Sequence, residues 1–179
     1  MSFWRKIHDL SVGQMGYEPA DAEWMLKISK LNDLNLILRS PEPIALQASI
    51  EMIGSIELRE ILGAALGKAA VEHLMAADTS YKLVDLRHFK EWLRKNPISS
   101  LSYTIRKFDC DDYAAALNGD VTKWDSDLCF GTIWVRRPGG HALNWIITTD
   151  KEFLLVEPQT DIIFEMPENW KFYKHLYIS

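Results

Sequence analysis

The chain has 179 residues, with 20 basic and 25 acidic side chains and a net charge of −5. That length and an apolar content of 47% suit one compact domain, or one domain with a helical extension, and exclude a disordered chain. The acidic balance gives no basic face for nucleic acid, and two cysteines cannot staple a disulfide scaffold.

No signal-peptide core opens the chain, and no apolar run reaches the roughly 18 residues that span a bilayer. The expectation is a soluble, cytoplasmic protein with free thiols and no membrane partner. Net charge differs between the halves, −1 over residues 1–100 and −4 over 101–179.

The first half reads as helical. Asp21 can cap a helix to about Arg39, with Trp24, Ile28, Leu31 and Leu38 at helical spacing. Ser40-Pro-Glu-Pro43 breaks it, and a second helical stretch runs from Ile44 to about Ala77, bent at Gly54-Ser55. A third follows Asp85, presents Leu86, Phe89 and Leu93 on one face, and stops at Asn96-Pro97. The spacing of Gly63 and Gly67 is one residue short of a phosphate-binding loop and lacks the Ser or Thr that would hold magnesium. Its small residues suit helix packing, including packing between copies of a homo-oligomer.

The second half reads as one short helix and strands. The helix starts at Asp109 and ends at Asn118-Gly119. Apolar runs follow at Leu128–Val135, Ala142–Thr148, Phe153–Val156 and Ile162–Glu165, with Arg136-Arg-Pro-Gly-Gly140 as a solvated turn. N-terminal helices followed by a small antiparallel meander make the class α+β. The expected division is a helical region over 1–98, either an extension or part of the same domain, and a core over 99–179.

Three separated segments carry chemistry. Cys110 would open a helix, where unpaired backbone N–H groups and the helix dipole favour a thiolate and an oxyanion. Cys129 sits inside an apolar strand and reads as buried and inert. His141 follows two glycines. A hairpin closing at Thr149-Asp150-Lys151 places it opposite Gln159, with Glu157 one diagonal step away to orient the imidazole. If the register slips by one, Glu157 turns away and Asn144 comes nearer to it. His8, His73, His88 and His175 lack such company and read as structural.

Asp109, Asp111 and Asp112 surround Cys110. Helix capping is one reading of them. Three negative charges oppose a thiolate, however, and a cation held by these acids would relieve the conflict. Hard oxygen ligands suit calcium, with manganese second.

Phe-Asp-Cys-Asp-Asp-Tyr-Ala, Gly-His-Ala-Leu-Asn and Val-Glu-Pro-Gln-Thr-Asp resemble the papain-like protease domain at the C-terminus of mushroom agglutinins. The chain order Cys, His, acid is also similar to transglutaminase-like enzymes, and related segments occur in bacterial and phage proteins. The resemblance covers Ser99–Pro167. It implies a papain-like fold, a triad of Cys110, His141 and Glu157, a calcium requirement met by the aspartates, and a peptide or protein substrate. Ser102–Phe108 holds no glutamine where papain has its oxyanion donor, so Gln159 is the substitute candidate. The expected function is a cysteine hydrolase, a peptidase. The alternative is a non-catalytic binding or structural protein, phage-derived or bacterial, on the same scaffold; a calcium-dependent sugar-binding module ranks below both.

Overall fold

Turn chemistry divides the apolar stretch that reads as one helix into separate elements. A computed structural model describes residues 50–137 and 140–178; the helix expected over Asp21–Arg39 lies outside them. Strand β1 (Met52–Gly54) leads into helix α1 (Ser55–Leu66), so Gly54 is an N-cap rather than the bend of a continuous helix. Gly67 has φ 90°, which stops α1 and starts the short helix α2 (Lys68–Glu72). Strands β2 (Leu74–Ala76) and β3 (Ser80–Lys82) follow. Two short strands, β1 and β2, therefore lie in a stretch expected to be one helix, and β3 falls between that stretch and the next expected helix.

Helix α3 (Leu86–Leu93) starts as its sequence predicts. The Asp85 carboxylate accepts the Arg87 and His88 N–H groups at 2.9 and 3.0 Å, and Phe89 and Leu93 are buried. A 3₁₀ turn (Ile98–Ser100) follows Pro97.

Helix α4 (Cys110–Trp124) runs straight through Asn118-Gly119, where the sequence suggests an end. Leu117 and Val121, four apart, are both buried. Burying each contributes about 1.5–3 kcal/mol, which outweighs the cost of roughly 1 kcal/mol for a helical glycine.

The strands then run β4 (Phe130–Arg136), β5 (His141–Ile147), β6 (Phe153–Glu157), β7 (Ile162–Phe164) and β8 (Lys171–Ile178). The order in the six-stranded sheet is β2-β8-β4-β5-β6-β7, while β1 pairs only with β3. β4 to β7 form the expected antiparallel meander. β8 was not apparent in the sequence. It pairs antiparallel with β4 and parallel with β2, so the sheet is mixed. His175 at φ 53° and two register shifts against β4 interrupt the period of two that marks a strand.

The class is α+β. Tyr113, Leu117 and Val121 of α4 pack with Phe130, Ile146, Leu154, Val156 and Ile163 of the sheet. Val84, Phe89, Leu93 and Ile98 belong to the same cluster, and Ile50–Ser179 forms one compact unit. Residues 50–98 thus share the core of the later residues, and no boundary falls at residue 98.

Two glycines give opposite expectations. A Cβ on Gly131 would lie 2.0 Å from the Tyr177 carbonyl oxygen and 2.7 Å from the Trp145 ring, whereas one on Gly119 meets nothing within 4 Å. Gly131→Ala is therefore expected to unfold the sheet or lower its stability by more than about 2 kcal/mol. Gly119→Ala should raise stability by about 0.5–1 kcal/mol. Thermal melts of the two proteins check both signs.

Candidate active site

A tight turn and a reciprocal cap set the position of Cys110. Thr104 and Phe108 exchange backbone hydrogen bonds at 2.9 and 2.8 Å, with Arg106 between them at φ 62°. The Arg106 N–H donates to Asp109 Oδ2 at 3.1 Å. Asp109 and Asp112 then form a capping box, in which each accepts the backbone N–H of the other. Phe108 packs on Tyr113 at 4.7 Å, and the Tyr113 hydroxyl donates to the Leu101 carbonyl. Cys110 is the first residue of α4 and is half-buried.

His141 opens β5 and Glu157 closes β6. Asn144 faces Val156 and Trp145 faces Leu155, which is the register the hairpin turn predicts. Lys151 makes that turn at φ 61°. Carried on toward His141, this pairing leaves Glu157 one diagonal step away, and the slipped alternative is not adopted. The His141 Nε2–H donates to Glu157 Oε2 at 2.6 Å, and the side chains are 2% and 0% exposed. The Gln159 backbone N–H reaches the other Glu157 oxygen at 3.4 Å. Asp161, at φ 59°, completes the turn and accepts the Ser99 hydroxyl at 2.6 Å, which ties the Glu157 loop to the 3₁₀ turn.

The Cys110 side chain interacts with the His141 imidazole. Glu157 holds Nε2, so Nδ1 is the nitrogen left for sulfur. Burial pushes the imidazole toward its neutral form. The Glu157 charge and the side-chain interactions with Cys110 and Glu157 outweigh it, against an opposing push from Arg137, and raise the pKa from 6.5 to about 9. A ring that stays charged can donate from both nitrogens at once. Three residues from separate segments thus meet at one imidazole.

The predicted metal ligands divide. Among the described residues, Asp109, Cys110 and Asp111 offer atoms within 4.8 Å of one another; Asp112 is outside that group, its carboxylate spent on the cap. Asp109 and Asp111 share a side-chain hydrogen bond, which lowers the Asp109 pKa and raises that of Asp111. Calcium takes about six to eight oxygens. With Asp109 and Asp112 already engaged by backbone N–H groups, these carboxylates offer too few free oxygens for a calcium cage.

Asn144 has a role the sequence reading did not assign. Its Nδ2 donates to the Ala114 and Gly131 carbonyls at 3.0 and 3.2 Å, so it clamps α4 to the sheet and does not orient Glu157. The Gln159 side chain is 9% exposed, and neither its amide oxygen nor its nitrogen has a hydrogen-bond partner among the described residues. Cys129 is fully buried, and burial pushes its thiol up to about 12. Two residues near His141 escaped the sequence reading. Trp170 meets the imidazole edge-on at 6.4 Å, and Arg137 is 5% exposed rather than solvated. Neither carries a local motif that marks it.

No protein-family model matches the chain, and no curated protein matches it. Its fold is similar to a solved "PSL1a-E64 complex", at 20% identity and TM-score 0.61 over 69% of this chain and 50% of that one. It is also similar to a Polyporus squamosus lectin bound to a human-type influenza-binding epitope, at 20% identity and TM-score 0.59 over 69% and 48%. The chain spans about half the length of each, and at this identity the likeness is one of fold.

The His141–Glu157 contact makes stability depend on pH. A raised imidazole pKa stabilises the fold fully below pH 6.5, and the contribution is lost as pH rises through about 9. It is on the order of 3 kcal/mol. Glu157→Gln should lower the melting temperature at pH 6 and flatten its decline between pH 7 and 10. Parallel melting curves for the two proteins across that range would show the assignment wrong.

Proposed function

We propose that this chain is a papain-like cysteine hydrolase acting on peptide or protein amides. One observation carries the reading: a buried imidazole is hydrogen-bonded to Glu157 and also interacts with a half-buried cysteine on the first turn of a helix. A structural histidine needs one partner; this one has the two that nucleophile activation requires. The half-buried Cys110 keeps some access to solvent, while Cys129 has none.

In the reactive pair the thiol proton already rests on His141, and Cys110 Sγ attacks the amide carbonyl carbon as a thiolate. The C–N bond then breaks, and His141 gives that proton to the leaving amine, which leaves a thioester on Cys110. Water attacks the thioester and passes a proton to His141, and the C–S bond breaks to restore the thiolate. Glu157 orients the ring and stabilises its charged form throughout. The Cys110 backbone N–H at the start of α4 is one oxyanion donor. The Gln159 amide is the other. A buried amide without a partner costs about 1–3 kcal/mol, and an oxyanion would supply the missing acceptor.

The fold likeness supports this reading through the complex with E64 and leaves a second one standing. The other neighbour is a lectin with a bound epitope. A non-catalytic binding module on the same scaffold would keep the fold without needing a reactive thiol.

Alkylation separates the two. Iodoacetamide near pH 7 should label Cys110 at least about tenfold faster than Cys129, and His141→Ala should abolish the preference. E64 should label Cys110 alone. Equal, slow labelling of both thiols would favour the binding module. Gln159→Ala should lower kcat roughly 10²–10³-fold with little change in KM, while leaving Cys110 alkylation and folding intact. Added calcium should leave the melting temperature and thiol reactivity unchanged; a rise in the melting temperature would show that Asp109 and Asp111 bind it.

A further inference from the structure

The two arginines that end β4 have opposite environments. Arg136 is exposed, with its guanidinium 4.7 Å from the centre of the Tyr173 ring. Arg137 is 5% exposed, and its guanidinium carbon lies 5.5 Å over the Trp170 ring. Trp170 is itself buried. It meets Phe164 at 5.9 Å and 90°, and His141 at 6.4 Å and 83°. Arg137 thus lies over the Trp170 face, while His141 and Phe164 each meet that indole edge-on.

Burying a guanidinium is expensive, and a solvated turn gives no reason to do it. The Gly140 N–H donates to the Arg137 carbonyl at 3.0 Å. The Arg137 guanidinium lies over the face of an indole, on which a flat cation stacks well. That indole also meets edge-on the imidazole held by Glu157. A hydrogen bond between His141 and Glu157 is strong only while water is kept away from it.

We propose that Arg137 is a positioning residue, whose guanidinium seats Trp170 as the wall that excludes water from the His141–Glu157 hydrogen bond. The inference concerns the same site as the proposed hydrolase, but it is read in the resting protein. A protein that hydrolyses nothing could still show it, and an active one could still fail it.

The test is solvent exchange of the His141 Nε2 proton, followed by proton NMR. The signal is assigned by its absence from the His141→Gln protein. The full-length wild type should show a downfield, exchange-protected resonance. Arg137→Met keeps side-chain length without charge and should speed its exchange by at least about tenfold. Arg137→Lys keeps a cation over the ring and should stay within about threefold of wild type. Arg136→Met, which removes the exposed neighbour, should change nothing. Unchanged exchange in Arg137→Met overturns the proposal, as does an equal effect of Arg136→Met or the lack of a protected signal in wild type. Should Arg137→Met fail to fold, the Arg137→Gln and Arg137→Lys proteins decide it: fast exchange in the first alone supports the proposal, and equal rates overturn it.

Discussion

One buried amide holds the arrangement together. Asn144 lies in β5 and donates to a carbonyl of α4 on one side and to a carbonyl of β4 on the other. A helix can slide on a sheet by a turn, about 5.4 Å, with modest change in apolar contact. Hydrogen bonds to fixed carbonyls do not allow that freedom. The clamp sets the height of α4 above the sheet, and with it the distance from Cys110 at the helix start to His141 at the strand start. The proposed chemistry depends on that distance more than on any property of the thiol alone.

The site is made by ends of elements rather than their middles. Cys110 begins a helix, His141 begins a strand, and Glu157 finishes one. The middles carry the apolar core, and the ends are where backbone groups remain unpaired and where side chains can converge. The aspartates beside Cys110 fit the same pattern. Asp109 and Asp112 are engaged with backbone N–H groups, so much of the negative charge around the cysteine serves the helix.

How much was legible in the sequence follows from whether the signal was local. The Asp85 cap and the Phe89–Leu93 face lie within two turns, and α3 is where they place it. The turn at Thr149-Asp150-Lys151 defines the pairing of its own flanks, and that places His141 and Glu157 on one diagonal. β8 was not legible because its bulge at His175 interrupts the alternation that marks strands. Asn144 and Arg137 were misassigned for a different reason. Their partners, Ala114 and Trp170, lie some thirty residues away in sequence, and no spacing rule reaches that far. The extent of α4 was missed because burial at Leu117 and Val121 outweighed the local preference of Asn-Gly to stop a helix.

The parallel pair β2–β8 brings Leu74 beside Leu176. To form it the chain must close a loop of roughly a hundred residues, an entropic cost met only after most other contacts exist. The pairings of β4 through β7 span far shorter separations, and α4 precedes them directly in the chain. The helix, the hairpin and the turn that carries Glu157 can therefore come together early. β2 joins the sheet at its edge, with β8 and β4 between it and β5, so the costliest loop closure lies away from the strand that carries His141.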